Sequence, residues 1–270
     1  MEPQIIDILC NEATGARLRF HGTNEMVLWR VRSLRQKEPE TIAWIDTFDS
    51  NAVFLDIGAN IGIYCLYAAL ARECQVLAFE PESLNYAMLN RNIFLNRLDQ
   101  RVKAYPIALS DESAFSELHV NGFEEGSSCH SFKDKLDFKQ EQGRFDFSQG
   151  CFSMTLDELI QKNYVPVPQH IKIDVDGIEH KVLKGADQLL ENPSLKSVLV
   201  EINTNLPVHR SLIDFMNAKG FIFSPDQVDA FQCKEGVFKG VGNYIFFRNC
   251  QSEWENFTFV QKIMSSKSFH

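Results

Sequence analysis

The sequence predicts a doubly wound α/β fold, in which helices cover both faces of a mostly parallel sheet. Short apolar runs rich in β-branched residues alternate with helix-length segments, which is the pattern of right-handed βαβ crossovers. The runs are apolar throughout, as strands buried on both faces require. With 270 residues, a domain of this kind buries enough surface to fold without disulfides or metals.

The predicted elements fall into two groups. The first group has strands at 53–57, 75–79 and 102–105 and helices at 61–72 and 83–98, with Ser83 placed to cap the second helix. The second group has strands at 171–175, 197–202, 221–223 and 243–247 and helices at 178–190 and 207–219, with Gly220 ending the last helix. The core domain is therefore expected at residues 51–250.

Two regions interrupt this alternation. Residues 1–50 form an N-terminal extension, in which the segments ARLRF and MVLWRV indicate a hairpin before a helix at 39–48. Residues 111–150 form an insertion whose length indicates a functional loop. Its aromatic side chains form either a small local core or an acceptor platform; they are Phe115, Phe123, Phe132, Phe138, Phe145 and Phe147. Residues 251–270 are predicted to be a frayed tail.

Composition narrows the classes of partner and compartment. A net charge of −9 opposes binding to a phosphate backbone, so nucleic acid is not an expected partner. The chain shows no signal-peptide pattern and no apolar run of the ~18 residues that a membrane span needs. Its seven cysteines are scattered without CxxC spacing, which indicates reduced thiols and a cytoplasmic location.

The turn after the first strand of the core predicts a site for an adenosyl cofactor. Gly58 and Gly62 allow a tight turn and a close backbone approach. Glu80 follows Asp56 by roughly 20 residues, where a carboxylate at a strand tip binds ribose hydroxyls. A dinucleotide site is the alternative, but Asn60 stands where its pattern has a glycine, and Asp56 would repel a pyrophosphate. A turn whose glycines serve packing alone would not explain both acids.

Several motifs in this order resemble the FkbM family of S-adenosylmethionine (SAM)-dependent O-methyltransferases. They are DIGANIG (56–62), FEPES (79–83), TLDEL (155–159), KIDVDGIEHKVLKGA (172–186) and VLVEIN (198–203). The resemblance covers roughly residues 40–203 and implies a Rossmann-like class I methyltransferase fold with a reversed last strand. It implies SAM contacts at Asp56, Gly58, Ala59, Asn60, Gly62, Glu80 and Pro81, with adenine near Ala108, Leu109 and Ser110. Asp176 departs from the glutamate common in the family, so its hydrogen-bonding reach is shorter.

Acids at the ends of the fourth and fifth strands predict the reacting end of the site. Methyl transfer to a hydroxyl requires positioning and removal of the hydroxyl proton. We expect Asp174 to orient the acceptor near the methyl group and Asp174 or Asp176 to act as base, with Glu201 in the same catalytic set. A structural interpretation places Glu201 on the backbone amides of a neighbouring loop, and Glu179 at a helix N-terminus.

Histidines and a metal are the alternatives for this chemistry. His130 and His209 are candidate bases, whereas His180 is predicted to face solvent. Asp174, Glu201 and Asn203 form a candidate Mg²⁺ set, but direct hydrogen bonding of these side chains to a polyol explains them as well, and no metal is predicted.

The sequence therefore predicts a SAM-dependent O-methyltransferase. Its expected partner is a small-molecule or glycan acceptor, namely a hydroxyl of a sugar, glycan or polyketide-like metabolite. An NAD-dependent oxidoreductase or epimerase on the same fold, and a catalytically inactive methyltransferase-like module, are the alternatives. The intact turn and strand-end acids argue against loss of catalysis.

Overall fold

The computed structural model describes residues 4–11 and 15–248, so the predicted tail lies outside the described residues. The strands are β1 (Gln4–Asn11), β2 (Ala16–Gly22), β3 (Val53–Ile57), β4 (Gln75–Phe79), β5 (Val102–Tyr105), β6 (Ala108–Leu109), β7 (Ala114–Val120), β8 (Ser131–Phe132), β9 (Phe147–Met154), β10 (His170–Ile173), β11 (Ser197–Asn203), β12 (Phe221–Ile222) and β13 (Val241–Arg248). The helices are α1 (Glu25–Arg32), α2 (Pro39–Ile45), α3 (Ile63–Ala71), α4 (Ser83–Asn96), α5 (Leu156–Gln161), α6 (Glu179–Lys184), α7 (Pro207–Ala218) and α8 (Pro225–Phe231). None of these helices has the length and apolar character needed to cross a membrane.

The central sheet confirms the predicted doubly wound architecture. Its strand order is β12-β13-β11-β10-β3-β4-β5. The pairs from β11 to β5 are parallel, whereas β13 is antiparallel to both β11 and β12. The reversed strand is the one that the family resemblance implies. The carboxyl ends of β3, β4, β10 and β11 therefore meet at one edge of the sheet, where ligands bind in this architecture.

Apolar side chains fill both sides of this sheet. Residues of α2, α3 and α4 pack on one face, and residues of α5, α6 and α7 pack on the other. The N-terminal extension is part of this core, since Trp44 is only 1% exposed and its Nε1 donates a hydrogen bond to Ser197 Oγ at 2.9 Å. Burial of a side chain of this size contributes on the order of 3 kcal/mol, so the extension is fixed firmly beside the sheet.

The N-terminal hairpin forms from other residues than predicted. β1 pairs with β2 in antiparallel register, whereas the predicted second strand, MVLWRV, lies inside α1. Val27 and Val31 are four residues apart on the buried face of α1. Asn24 caps this helix, because its side chain accepts a hydrogen bond from the Val27 N–H. The helical spacing of the apolar residues outweighs their β-branched character.

Side-chain caps also set two helix starts differently from prediction. Glu82, not Ser83, caps α4, and its carboxylate accepts from the N–H of Leu84 at 3.0 Å. α8 was not predicted; Ser224 caps it by accepting from the Gln227 N–H. Both caps satisfy amides that have no partner within their helices.

The predicted helix over 178–190 is shorter than expected. α6 ends at Lys184, and a short 3₁₀ turn follows at Leu189–Glu191. Gly185 packs so closely against the backbone carbonyl of Ser110 that a Cβ would collide with it. The Gly185 carbonyl in turn accepts from the Asp157 N–H at 2.9 Å, so close packing ends the helix.

The insertion forms a small sheet rather than an irregular loop. β7 pairs antiparallel with β8 and β9, and β9 pairs in parallel with β6. Phe132 is buried with Leu118 and Val120 in a local core, whereas Phe115 is 89% exposed. The local-core interpretation therefore holds for part of the insertion's aromatic set.

Candidate active site

A cavity of about 450 Å³ lies at the sheet edge where β3, β4, β10 and β11 end. Its volume is within the roughly 300–1,000 Å³ of small-molecule and cofactor pockets. The glycine turn after β3 and the loop after β10 form its floor. The insertion, the N-terminal extension and β13 form its other walls. Most of the predicted site residues therefore converge on one space, together with residues from segments that the sequence did not implicate.

The glycine turn is shaped by two different close contacts. Gly58 has φ +82°, and a Cβ on it would collide with the Asp174 carbonyl. Gly62 has φ +96°, and a Cβ there would lie 2.6 Å from Leu89 Cδ1. Gly58 thus allows the loops after β3 and β10 to meet, whereas Gly62 allows packing against α4. Asn60 adopts the left-handed conformation with φ +50°, which asparagine tolerates better than most residues.

Glu80 connects the glycine turn to the end of β4. Its Oε2 accepts from the Asn60 N–H at 2.7 Å, and its Oε1 accepts from the Glu82 N–H at 2.9 Å. Burial raises the pKa of Glu80 to about 8, although these two hydrogen bonds lower it. Each oxygen retains a further lone pair, so this carboxyl can accept the two hydroxyl hydrogens of a ribose.

The structure brings most, but not all, of the predicted cofactor contacts to the cavity. Those on its wall are Gly58, Asn60, Glu80, Pro81, Ala108 and Leu109, and Ala59 lines an adjoining pocket of about 40 Å³. Asp56, Gly62 and Ser110 are not on the wall of the large cavity, and their contact with a cofactor stays a prediction. Neither carboxylate oxygen of Asp56 has a hydrogen-bond partner among the described residues. Burial raises the pKa of Asp56 to about 6, against the effect of the nearby Lys172 ammonium.

The three predicted catalytic acids form one cluster. Carboxylate oxygens of Asp174, Asp176 and Glu201 lie within 4.8 Å of one another. The buried Lys172 Nζ lies 2.7 Å from Asp174 Oδ2. Burial tends to raise the pKa of Asp174, but the charges of Lys172 and Lys37, together with the hydrogen bond from Lys172, hold the pKa below its ordinary value. Burial, followed by the charge of Asp174, raises the pKa of Asp176 to about 6 and that of Glu201 well above its ordinary value.

These shifts give the acids different protonation states at neutral pH. Asp174 favours its ionised form, Asp176 titrates close to neutrality, and Glu201 favours its protonated form. The titration belongs to the cluster as a whole, because the three groups influence one another. A carboxylate and a carboxylic acid side by side can accept one proton and donate another.

The acids that lie close enough together to hold a metal differ from the candidate set considered from the sequence. Asn203 Oδ1 accepts from the Asn205 N–H and from Asn205 Nδ2, both at 3.0 Å, so this side chain is engaged away from the acids. Asp176 takes its place beside Asp174 and Glu201. Three carboxylates suit Mg²⁺, but Lys172 already supplies a positive charge next to Asp174.

The loop after β10 is held in place by Glu179, which supports the structural interpretation of this acid. Glu179 is fully buried, and its carboxyl accepts from the N–H groups of Val175 at 2.9 Å and Gly177 at 3.1 Å. Burial raises its pKa to about 8. The 3.3 Å approach of His209 Nε2 to Glu179 is therefore not an ion pair at neutral pH, because burial also lowers the pKa of the histidine.

The three histidines near the site differ in their access to the cavity. His209 Nδ1 accepts from the Asn203 N–H at 3.1 Å, and its Nε2 donates to the Gly177 carbonyl at 3.2 Å, so both ring nitrogens are engaged away from the cavity wall. His180 does not face solvent as predicted; it is half-buried, and its ring centroid lies 6.0 Å from that of His209. His130 lines the cavity, but burial lowers its pKa and its Nδ1 accepts from the Asn121 N–H.

The insertion closes the cavity above the glycine turn and the acid cluster. The Ser127 carbonyl accepts from Asn60 Nδ2 at 2.7 Å and from Asn85 Nδ2 at 3.0 Å. The Cys129 N–H donates to Asp176 Oδ2 at 2.7 Å. These contacts fasten one segment of the insertion to the glycine turn, to α4 and to the acid cluster, which supports its prediction as a functional loop.

The sequence did not indicate that the N-terminal extension and β13 contribute side chains to the cavity wall. Arg30, Lys37, Glu38 and Glu40 line the cavity from one side, and Asn243 lines it from β13. Lys37 Nζ lies 2.6 Å from Glu38 Oε1. A cluster of charged residues just before the proline that begins α2 was the available signal. Six carboxyl side chains and two cationic ones line the cavity in the described part of the chain.

The doubly wound sheet with a reversed strand, the glycine turn and the strand-end acids define the class I methyltransferase architecture. The segment 56–223 matches the family model described as the methyltransferase FkbM domain. The chain therefore belongs to the FkbM methyltransferase family and is a methyltransferase.

Individual proteins are similar to this chain over most of its length. Hexuronic acid methyltransferase AglP of Haloferax volcanii is 28% identical over 201 residues, which cover 72% of this chain and 74% of that protein. Methyltransferase sdnD of Sordaria araneosa is 28% identical over 207 residues, covering 68% and 79% respectively. The crystal structure of methyltransferase FkbM from Methylobacillus flagellatus aligns with 74% of this chain at 14% identity and a TM-score of 0.47. This chain spans 44% of that solved chain.

Proposed function

We propose that this methyltransferase uses SAM to methylate a hydroxyl of a sugar, glycan or polyketide-like metabolite. The observation that carries the proposal is that one cavity holds both the Glu80 carboxyl of the glycine turn and the acid cluster of Asp174, Asp176 and Glu201. The name of the similar protein AglP, hexuronic acid methyltransferase, supports a sugar as the acceptor.

The charge of the cavity favours SAM over a dinucleotide. Asp174 is held in its ionised form and Asp176 has a pKa of about 6, so this end of the cavity suits a positively charged sulfonium, whereas it would repel the diphosphate of NAD. Lys37 is also paired with Glu38 at 2.6 Å, so it is not free to neutralise a phosphate.

The three acids of the cluster have different roles in the proposed methyl transfer. Bound SAM supplies an electrophilic methyl group, with S-adenosylhomocysteine as the leaving group. Asp174, held ionised by Lys172, orients the acceptor hydroxyl by accepting a hydrogen bond. Asp176, whose pKa is about 6, accepts the hydroxyl proton as the oxygen bonds to the methyl carbon, since a base is most effective when its pKa is near the working pH. Glu201 remains protonated and hydrogen bonds to a neighbouring acceptor oxygen.

Calorimetric titration with S-adenosylhomocysteine tests the cofactor assignment. We expect micromolar binding by the wild type, corresponding to about 8 kcal/mol, and at least tenfold weaker binding by Glu80→Gln. Glu235→Gln is the matched control, because Glu235 is exposed and does not line the cavity. Binding of NAD in preference to both SAM and S-adenosylhomocysteine would establish the oxidoreductase alternative instead.

Transfer of a labelled methyl group tests the acceptor class. Methyl glycosides of hexoses, the corresponding hexuronic acids and a macrolide form the panel, with product position determined by mass spectrometry. Asp176→Asn should lower kcat for a hydroxyl acceptor by about 10²- to 10⁴-fold, with little change in cofactor affinity. Methylation of a uronic carboxyl group that is insensitive to Asp176→Asn would contradict the hydroxyl assignment, because a carboxylate has no proton to lose. Cofactor binding without transfer to any acceptor would favour the inactive module.

A further inference from the structure

Two residues that line the cavity each carry a buried oxygen atom without a hydrogen-bond partner. Glu40 is 3% exposed and Asn243 is 7% exposed, and both line the cavity. Neither Glu40 Oε2 nor Asn243 Oδ1 has a partner among the described residues. A buried polar atom without a partner costs about 1–3 kcal/mol, so two such atoms on one wall indicate a ligand that donates hydrogen bonds.

The two side chains hold each other in one orientation. Asn243 Nδ2 donates to Glu40 Oε1 at 2.9 Å and lies 3.4 Å from Thr41 Oγ1. The amide nitrogen of Asn243 therefore faces α2, and its Oδ1 is left as an acceptor. Burial raises the pKa of Glu40 to about 7, the behaviour of a carboxyl that lacks donors to its charged form.

This pair lies directly beside the acid cluster. In the antiparallel pairing of β11 and β13, Asn243 is opposite Glu201. Side chains that face each other across an antiparallel pair lie on the same side of the sheet, with Cβ atoms about 5 Å apart. A molecule whose reacting hydroxyl contacts the acid cluster can therefore place a second hydroxyl against Glu40 and Asn243.

We infer that Glu40 and Asn243 form a subsite that binds a second, non-reacting hydroxyl of the acceptor. The acceptor is then a polyol, such as a sugar ring, rather than a molecule with a single isolated hydroxyl. This inference rests on the proposed function and goes beyond it, because both residues lie outside the segment 56–223 that matches the family.

Ligand-observed NMR in the presence of S-adenosylhomocysteine tests the subsite. The probes are methyl glucopyranoside, methyl galactopyranoside and methyl mannopyranoside, with cyclohexanol as the matched ring that has one hydroxyl. We expect the wild type to bind at least one glycoside more tightly than cyclohexanol. Glu40→Gln should weaken glycoside binding about tenfold or more, since an amide N–H that cannot accept a hydrogen bond replaces the oxygen Oε2, and should leave the binding of cyclohexanol unchanged.

The controls separate this inference from the proposed function. Glu40→Gln should bind S-adenosylhomocysteine like the wild type, and Glu235→Gln should bind both ligands like the wild type. Where Glu40→Gln does not unfold cooperatively, Asn243→Ser is measured in its place with the same expected loss. Unchanged glycoside binding in the folded variant, or wild-type binding of cyclohexanol as tight as that of every glycoside, would overturn the subsite alone. Failure of the wild type to bind SAM or S-adenosylhomocysteine would instead overturn the proposed function.

Discussion

Replacement of Lys172 by Met tests whether its charge keeps Asp174 ionised. The Lys172 side chain is 1% exposed, that of Asp174 is 21% exposed, and the two groups are 2.7 Å apart. Methionine matches much of the lysine volume but removes the charge and the contact of Nζ with the Tyr64 ring at 5.2 Å. Loss of one partner of a buried ion pair costs about 3–5 kcal/mol.

The loss of stability in Lys172→Met should depend on pH. Without the ammonium group, the folded state must protonate Asp174, whose ordinary pKa is near 4. Protonation costs roughly 1.4 kcal/mol per pH unit above that value, so about 4 kcal/mol at pH 7 and about 1.5 kcal/mol at pH 5. The loss of stability is larger at the higher pH because a carboxyl with a raised pKa in the folded state loses its contribution to stability as the pH rises.

Urea denaturation followed by tryptophan fluorescence at pH 5 and at pH 7.5 measures this difference. The double variant Lys172→Met/Asp174→Asn is the control, because it removes both charges and should recover most of the lost stability. An equal loss at the two pH values, or no recovery in the double variant, would refute the assignment of Lys172 as the counterion of Asp174.

Three further predictions concern the loops of the site. Gly58→Ala should lower the melting temperature in thermal denaturation and abolish cofactor binding in calorimetry, because φ is +82° there and the added Cβ collides with the Asp174 carbonyl. His209→Ala should reduce the free energy of unfolding by about 2–4 kcal/mol, since two buried hydrogen bonds are lost, but leave the pH profile of methyl transfer unchanged. Glu179 has a pKa of about 8 in the folded protein, so its contribution to stability is present below pH ~4.5 and lost as the pH rises toward 8. Glu179→Gln should therefore flatten the fall in urea midpoint between pH 5 and pH 8.

The sequence predicted the features that short-range patterns determine. The strands around the glycine turn were predicted because their apolar runs must be buried on both faces. Gly58 was predicted because a tight turn requires a residue without a Cβ, and Glu80 because a carboxylate at a strand tip binds ribose hydroxyls. Gly62 was predicted to allow a close backbone approach, and in the structure its missing Cβ makes room for Leu89, a residue that no local pattern connects to it.

The remaining features depend on contacts between distant parts of the chain. Glu40 and Asn243 are 203 positions apart, and nothing within either segment indicates their contact. His209 was a candidate base because its sequence position is compatible with the cavity, whereas its hydrogen bonds direct it to the loop after β10. α1 was missed because its β-branched residues favour a strand locally, while its burial against the hairpin decides the helix.

The two ends of the cavity have different origins in the chain. Glu80, Asp174 and Glu201 lie within the segment 56–223 that matches the family, so the glycine-turn end of the cavity and the acid cluster belong to the family domain. Glu40 and Asn243 lie outside it and line another wall of the same cavity. If the first set carries out the proposed reaction and the second forms the proposed acceptor subsite, exchange of α2 and β13 between relatives should change the acceptor without changing the chemistry. Membership of the family therefore predicts the methyl transfer better than it predicts the molecule that receives the methyl group.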